Sequence, residues 1–236
     1  MLRQAQHDVL DTSPIKTPTA LKAFLFDLNG TMIHDMDYHT RAWQRLFNEE
    51  LGGQFTYEQV KPQMYGKNQE VLVRVFGPER FSQAEMDQLA RRKEERYQAE
   101  YRPHLQLLPG LLAFLRAAKQ HGIPVAIGSA AIPFNIDFVL DGLDIRQYVQ
   151  AVVSADDVQE SKPHPETFLK AAAALGVEPQ DCVVFEDVPK GAEAARNAGM
   201  SCVVLTTTHQ EAEFSYLDNV LHFAEDFRDP FFRQLL

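Results

Sequence analysis

Residues 24–35 read FLFDLNGTMIHD. Three apolar residues, Phe24-Leu25-Phe26, run without alternation into an acid, Asp27, and the turn sequence Asn29-Gly30-Thr31 follows at once. An apolar run that does not alternate suits a strand buried on both faces, as in a parallel sheet. The same form recurs at Pro124-Val-Ala-Ile-Gly128, Ala151-Val-Val153, Cys182-Val-Val-Phe185 and Cys202-Val-Val-Leu205. Between these runs lie helical patterns at 109–120, 134–140, 165–175 and 191–198, the third with Pro165 in its first turn and Gly176 at its stop. Strand, helix and strand in this order predict a doubly wound, Rossmann-like α/β fold on a parallel sheet.

Residues 37–105 break the rhythm. They carry helical patterns and no convincing strand, with Trp43, Leu46, Phe47 and Leu51 at helical spacing. Ser82 and Glu85 form a capping-box pattern that opens a long helix through Tyr101. The charge run RRKEER at 91–96 reads as a solvated helix face, with Arg91 and Glu95 paired one turn apart. The expected organisation is a polar N-terminal tail at 1–20, an α/β core formed by 21–36 and 106–236, and a helical cap, 37–105, inserted after the first strand.

A formal charge of −10 argues against a nucleic-acid partner, which would need a basic face. No apolar run approaches the ~18–20 residues of a membrane span, and the N-terminus has no apolar signal core. Asn29-Gly30-Thr31 matches the glycosylation pattern, which carries no weight without a secretion signal. The two cysteines, Cys182 and Cys202, sit in strand-like runs and read as buried reduced thiols. A cytoplasmic monomer is expected.

Ligands of open α/β sheets bind beyond the carboxyl ends of the strands. There this chain places Asp27, Ser129 and the pair Glu186-Asp187, with Ser161-Lys162-Pro163 before the fourth strand. Each alone has an ordinary reading as a cap, a loop acid or a solvated cation, but their recurrence at successive strand ends does not. Carboxylates so gathered repel one another unless a divalent cation joins them, and an oxygen-only set points to Mg²⁺ rather than zinc. A cation, a lysine and a serine around one carboxylate make a pocket for a phosphoryl group. The partner expected is therefore a small phosphorylated metabolite.

The motifs FDLNGT, IGSA, SKPHPETF and VFEDVPKGAEAARNAG, in that order, resemble those of the haloacid-dehalogenase-like superfamily. YHTRAW at 38–43 and LARRKEERY at 89–97 bring the chain closest to β-phosphoglucomutase and its phosphatase relatives. The resemblance implies that Asp27 is the nucleophile and forms an aspartyl-phosphate. It implies a Mg²⁺ ion held by Asp27, the Asn29 carbonyl and Asp187, with Glu186 in or just outside that shell. Ser129 and Lys162 would bind the phosphoryl oxygens beside Gly30, Thr31 and Ala130. Lys162 would also keep Asp27 ionised, a pair at ~4 Å being worth about 4 kcal/mol at an effective dielectric near 20. His39 would orient a general acid. Trp43 reads as core before substrate platform, and Lys67, Asn68 and Gln69 would form the specificity loop, Gln69 standing where the mutase has arginine.

Two departures bear on function. Most phosphatases of the superfamily have aspartate where this chain has Asn29, and an amide cannot carry a proton between states. Loss of a general acid/base typically costs about 10²–10⁴ in rate. After Ser129 the chain continues Ala130-Ala131-Ile132-Pro133, without the serine, lysine and asparagine that grip the second phosphate in the mutase. A Mg²⁺-dependent phosphohydrolase is the leading expectation. A sugar-phosphate mutase and a catalytically impaired phospho-ligand-binding protein are the alternatives.

Overall fold

The computed structural model describes residues 23–236, so the expected tail at 1–20 lies outside the described residues. Six parallel strands form one sheet in the order β3-β2-β1-β4-β5-β6. They are β1 (Ala23–Phe26), β2 (Val125–Gly128), β3 (Ala151–Val153), β4 (Cys182–Glu186), β5 (Ser201–Leu205) and β6 (Val220–Ala224). The strand order reverses between β1 and β4, where a doubly wound sheet opens its ligand crevice.

Both sheet faces are dry, as the unalternating runs require. Phe24, Phe26, Val125, Ile127, Val183 and Phe185 pack on one side with α5 (Leu111–Gln120) and α6 (Pro133–Gly142). Leu25, Ala126, Cys182, Val184 and Cys202 pack on the other with α7 (Glu166–Leu175) and α8 (Pro189–Asn197). The cysteines are free and buried, as expected. The sequence reading stopped at the fifth strand and missed β6. That strand lies at the sheet edge and is only half-buried at Val220, Leu221, His222 and Phe223, so its run lacks the fully apolar signature.

Between β1 and α5 the chain forms α1 (Met36–Arg45), α2 (Tyr57–Val60), α3 (Asn68–Phe76) and α4 (Gln83–Tyr101), with no strand among them. These helices enclose their own cluster of Trp43, Leu46, Phe47, Val60, Val71, Leu72 and Leu89. Ser82 and Glu85 cap α4 reciprocally, and Arg91 pairs with Glu95 at 2.7 Å. The charge run is not a wholly solvated face, however: Lys93 and Glu94 are 2% and 3% exposed. Leu89, Lys93 and Tyr97 form one buried line at i,i+4 spacing, and Ala90, Glu94, Gln98 and Tyr101 a second. The inward charges are tolerated because each is paired and hydrogen-bonded. Among the described residues no helix is long and apolar enough to cross a membrane.

Candidate active site

β1 delivers Asp27 to the crevice, its N–H bonded to the Phe185 carbonyl of β4 at 2.9 Å. The chain then turns at Gly30, whose φ of +85° suits glycine. A Cβ there would stand 2.2 Å from Asp187 Oδ2, so the missing side chain is what lets the two loops approach. Asp27, Glu186 and Asp187 each bring a carboxylate oxygen within 4.8 Å of the others. Lys162 donates to Asp27 Oδ1 at 2.7 Å and to Glu186 Oε1 at 2.6 Å. The other Glu186 oxygen accepts from the Asp187 and Val188 amides, and a Cβ at residue 191 would overlap that carboxyl group.

Lys162 acts, as expected of it, to keep Asp27 ionised, and burial and Glu186 oppose it. Burial pushes the Asp27 carboxyl up to about 7; Lys162 pulls it down by less, and Glu186 adds to the rise. Asp187 is pushed well above the ordinary carboxylate value by burial, Glu186 and Asp27, against hydrogen bonds from Thr208 and Thr31. Burial also opposes the Lys162 ammonium, but Asp27 and Glu186 outweigh it and hold its pKa above the usual value. Three carboxylates against one ammonium leave two negative charges uncompensated. An all-oxygen set with that deficit fits a hard divalent cation such as Mg²⁺.

Ser129 and Ala130, at the end of β2, line the same cavity, which has a volume of about 140 Å³. Ser129 Oγ accepts from the Ala131 amide at 3.1 Å. Thr31 is fully buried and donates to Asp187 Oδ1 at 3.0 Å, so its hydroxyl braces the acid cluster rather than meeting a phosphoryl group. Asn29 donates from Nδ2 to Asp35 Oδ2 at 2.6 Å, and the same nitrogen lies 3.1 Å from His39 Nε2.

His39 opens a second polar network inside the helical insertion. Its ring stacks on Tyr97 at 3.7 Å, and its Nδ1 lies 2.6 Å from Lys93 Nζ. Lys93 donates to both oxygens of Glu94 at 3.0 Å. Glu94 also accepts from Asn68 at 2.8 Å and from Asn135 of α6 at 2.7 Å. Burial works against the Glu94 charge, yet Lys93 and His39 outweigh it and hold the pKa below the usual range. Trp43 is both core, at 1% exposure, and part of the cavity wall.

The structure places Lys67, Asn68 and Gln69, the expected specificity loop, in different surroundings. Asn68 lines the cavity. Gln69 instead donates to Asp87 at 3.1 Å on the exposed side of the insertion, and Lys67 donates to the Val158 carbonyl at 2.5 Å. Helix α3 begins at Asn68, which turns its two neighbours away from the cavity.

Several site residues escaped the sequence reading. Thr207 donates to the Gly30 carbonyl and Thr208 to Asp187 Oδ2, both at 2.5 Å, so the loop after β5 ties down both acid-bearing loops. The run Thr206-Thr207-Thr208-His209 directly after an apolar strand was the available signal. Asp35, Glu94, Asn135, Tyr65 and Lys190 offered none that separates them from ordinary surface residues.

The haloacid dehalogenase-like hydrolase model matches residues 21–199. The chain is 34% identical over 182 residues to fructose-1-phosphate phosphatase YqaB of Escherichia coli, covering 76% of this chain and 93% of that protein. It is 32% identical over 197 residues to β-phosphoglucomutase of Bacillus subtilis, covering 78% and 82%. The crystal structure of β-phosphoglucomutase from Clostridium difficile superposes with a TM-score of 0.79 at 26% identity, covering 91% and 95%. Acids gathered at the strand-order reversal, four ordered motifs and a match across most of its length thus agree: this chain belongs to the haloacid dehalogenase-like hydrolases.

Proposed function

We propose that the protein is a Mg²⁺-dependent phosphohydrolase of small phosphorylated metabolites that works through an aspartyl-phosphate on Asp27. The observation that carries this reading is the convergence of Asp27, Lys162, Ser129 and Asp187 on one cavity at the sheet's switch point. Lys162 occupies Asp27 Oδ1, so Oδ2 is the oxygen assigned to attack phosphorus. The P–O bond to the substrate's alkoxide then breaks, and water later attacks phosphorus, releasing inorganic phosphate and regenerating the Asp27 carboxylate. Ser129 and Lys162 hydrogen-bond the phosphoryl oxygens throughout.

Asp27, Asp187 and the Asn29 carbonyl would hold Mg²⁺. Glu186 is assigned just outside that shell, because Lys162 and two backbone amides already occupy its oxygens. When bound, the ion neutralises the acids and draws charge from the phosphoryl group. Residues 37–105 act as a cap over the core of 21–36 and 106–236, excluding bulk water while the phosphoryl group moves to Asp27 and admitting the hydrolytic water afterwards. Asn29 slows protonation of the leaving oxygen and suits substrates with good leaving groups.

A mutase is the second reading, favoured by the likeness to β-phosphoglucomutase. Ala130-Ala131-Ile132-Pro133 weighs against it, since that stretch has no charged side chain for a second phosphate. The decisive experiment combines phosphate release, with and without Mg²⁺, and intact-mass detection of phosphorylated Asp27 after rapid quench. Release that needs Mg²⁺ and passes through the phosphoenzyme is expected. Isomerisation of a sugar phosphate without release would select the mutase, and neither reaction over a broad panel would leave a ligand-binding protein.

A further inference from the structure

Nearly every charged side chain that lines the cavity has a polar side chain as its hydrogen-bond partner, although the acid cluster keeps its charge deficit. Asp27 and Glu186 share Lys162, Glu94 is saturated by Lys93 and two amides, and Asp187 is held by Thr31 and Thr208. Lys190, in the first turn of α8, is the exception. Among the described residues it forms no ion pair. Its Nζ instead rests 3.4 Å from the ring centroid of Tyr65, which belongs to the insertion.

That ring already carries a cation. The Arg74 guanidinium lies 3.5 Å from the same centroid, and its hydrogen bonds go to the carbonyls of Gln63 and Tyr65 rather than to an acid. The nearby carboxylate, Glu70, is taken by Ser161 Oγ at 2.6 Å and the Lys67 amide at 3.2 Å. Attraction to an aromatic face stabilises each cation by roughly 0.5–2 kcal/mol, but two positive charges on one ring repel. An anion arriving from the cavity relieves that repulsion. Nζ stands against Tyr65 of the insertion, whereas Lys162, the cation assigned to the transferred phosphoryl group, stands against Asp27.

We propose that Lys190, seated on Tyr65, is a specificity residue that receives a second anionic group, carboxylate or phosphate, on the non-transferred end of the substrate. This rests on the phosphohydrolase reading and adds a substrate class to it: phosphomonoesters with a second negative charge. The residues after Ser129 offer no cation for such a group, and Lys162 is committed to Asp27 and Glu186.

The test uses a matched pair: a four-carbon polyol phosphate and the aldonic acid phosphate of the same length. kcat/KM for phosphate release is measured on the full chain with Mg²⁺ for the natural protein, Lys190→Met and Lys190→Arg. Lys190→Met should lower the ratio of two-anion to one-anion substrate about tenfold, mainly through KM, and Lys190→Arg should retain most of it. The bisphosphate of the same chain length tells which anion is preferred, and either preference supports the proposal. Equal loss on both substrates would assign Lys190 to the transferred phosphoryl group and overturn it, as would an unchanged ratio. If the natural protein releases phosphate neither from these alkyl phosphates nor from an acyl phosphate, whose leaving group needs no proton, the hydrolase reading fails on its own. The same ratio taken from calorimetric affinities of the natural protein and Lys190→Met then decides the role of Lys190.

Discussion

The sheet and the helical insertion both bring charge into one cavity, and they do so in opposite ways. At the strand ends three carboxylates share one ammonium, so the cluster is electrically incomplete and two of its acids are held above their ordinary pKa. In the insertion, Lys93, Glu94, His39 and two asparagines form a closed set in which every Glu94 lone pair is used. The first arrangement leaves a charge deficit, which suits the cation and phosphoryl group proposed for it; the second closes on itself and holds a shape. A buried charge can thus mark chemistry or scaffolding, and the completeness of its partners separates the two.

The comparison can be broken from either side. Asp27→Asn should give the largest effect, lowering turnover by about 10⁴ or more while the fold persists, as checked by phosphate release and circular dichroism. Lys93→Met should instead act on stability, costing about 3–5 kcal/mol in urea unfolding because it leaves Glu94 buried and unpaired. Lys93→Met with Glu94→Gln should recover much of that loss, and strict additivity of the two would refute a closed network.

Asn29→Asp tests the join between the regions. Against alkyl phosphates it should raise kcat by about ten- to a hundredfold if the amide is the missing proton carrier. Asp35 Oδ2 accepts from the Asn29 amide at 2.6 Å, so a carboxylate at 29 would face another carboxylate. The gain should therefore be larger in Asn29→Asp with Asp35→Asn than in the single variant, and an unchanged or lower rate in both would remove this account of the amide. The smallest effect belongs to the outer face of α4. Arg92, half-exposed, pairs at 3.0 Å with Glu50, which Arg96 also holds at 2.7 Å, so Arg92→Ala leaves Glu50 paired and should cost about 0.5 kcal/mol or less by the same unfolding measurement.

How much of this could be read in advance follows from burial. β1, β2, β4 and β5 were legible because both faces of each are covered, which forces continuous apolar runs ending in polar residues, and the edge strand β3 was legible because its short run is apolar even at the exposed Val152. β6 was not, since an edge strand tolerates His222 and half-exposed neighbours. Asp27, Ser129 and Asp187 stood out by position at strand ends, and Lys162 by the Ser161-Lys162-Pro163 motif between the third and fourth strands. Lys93 and Glu94 did not, because a helix shows which of its charges point inward only through its neighbours, and here the apolar companions are spaced among six charged residues. Lys190 and Tyr65 meet across separate elements, and no spacing along the chain brings such a pair together.

Cys182 and Cys202 lie on adjacent strands under the α7–α8 layer. Burial pushes the Cys182 thiol up to about 11 and the Cys202 thiol well above its ordinary value. In the native molecule neither is a usable nucleophile, so a maleimide can tag them only when the sheet itself comes apart. The protein thus carries its own stopwatch for unfolding: the rate of tagging, read against denaturant, times the opening of its centre without any engineered label.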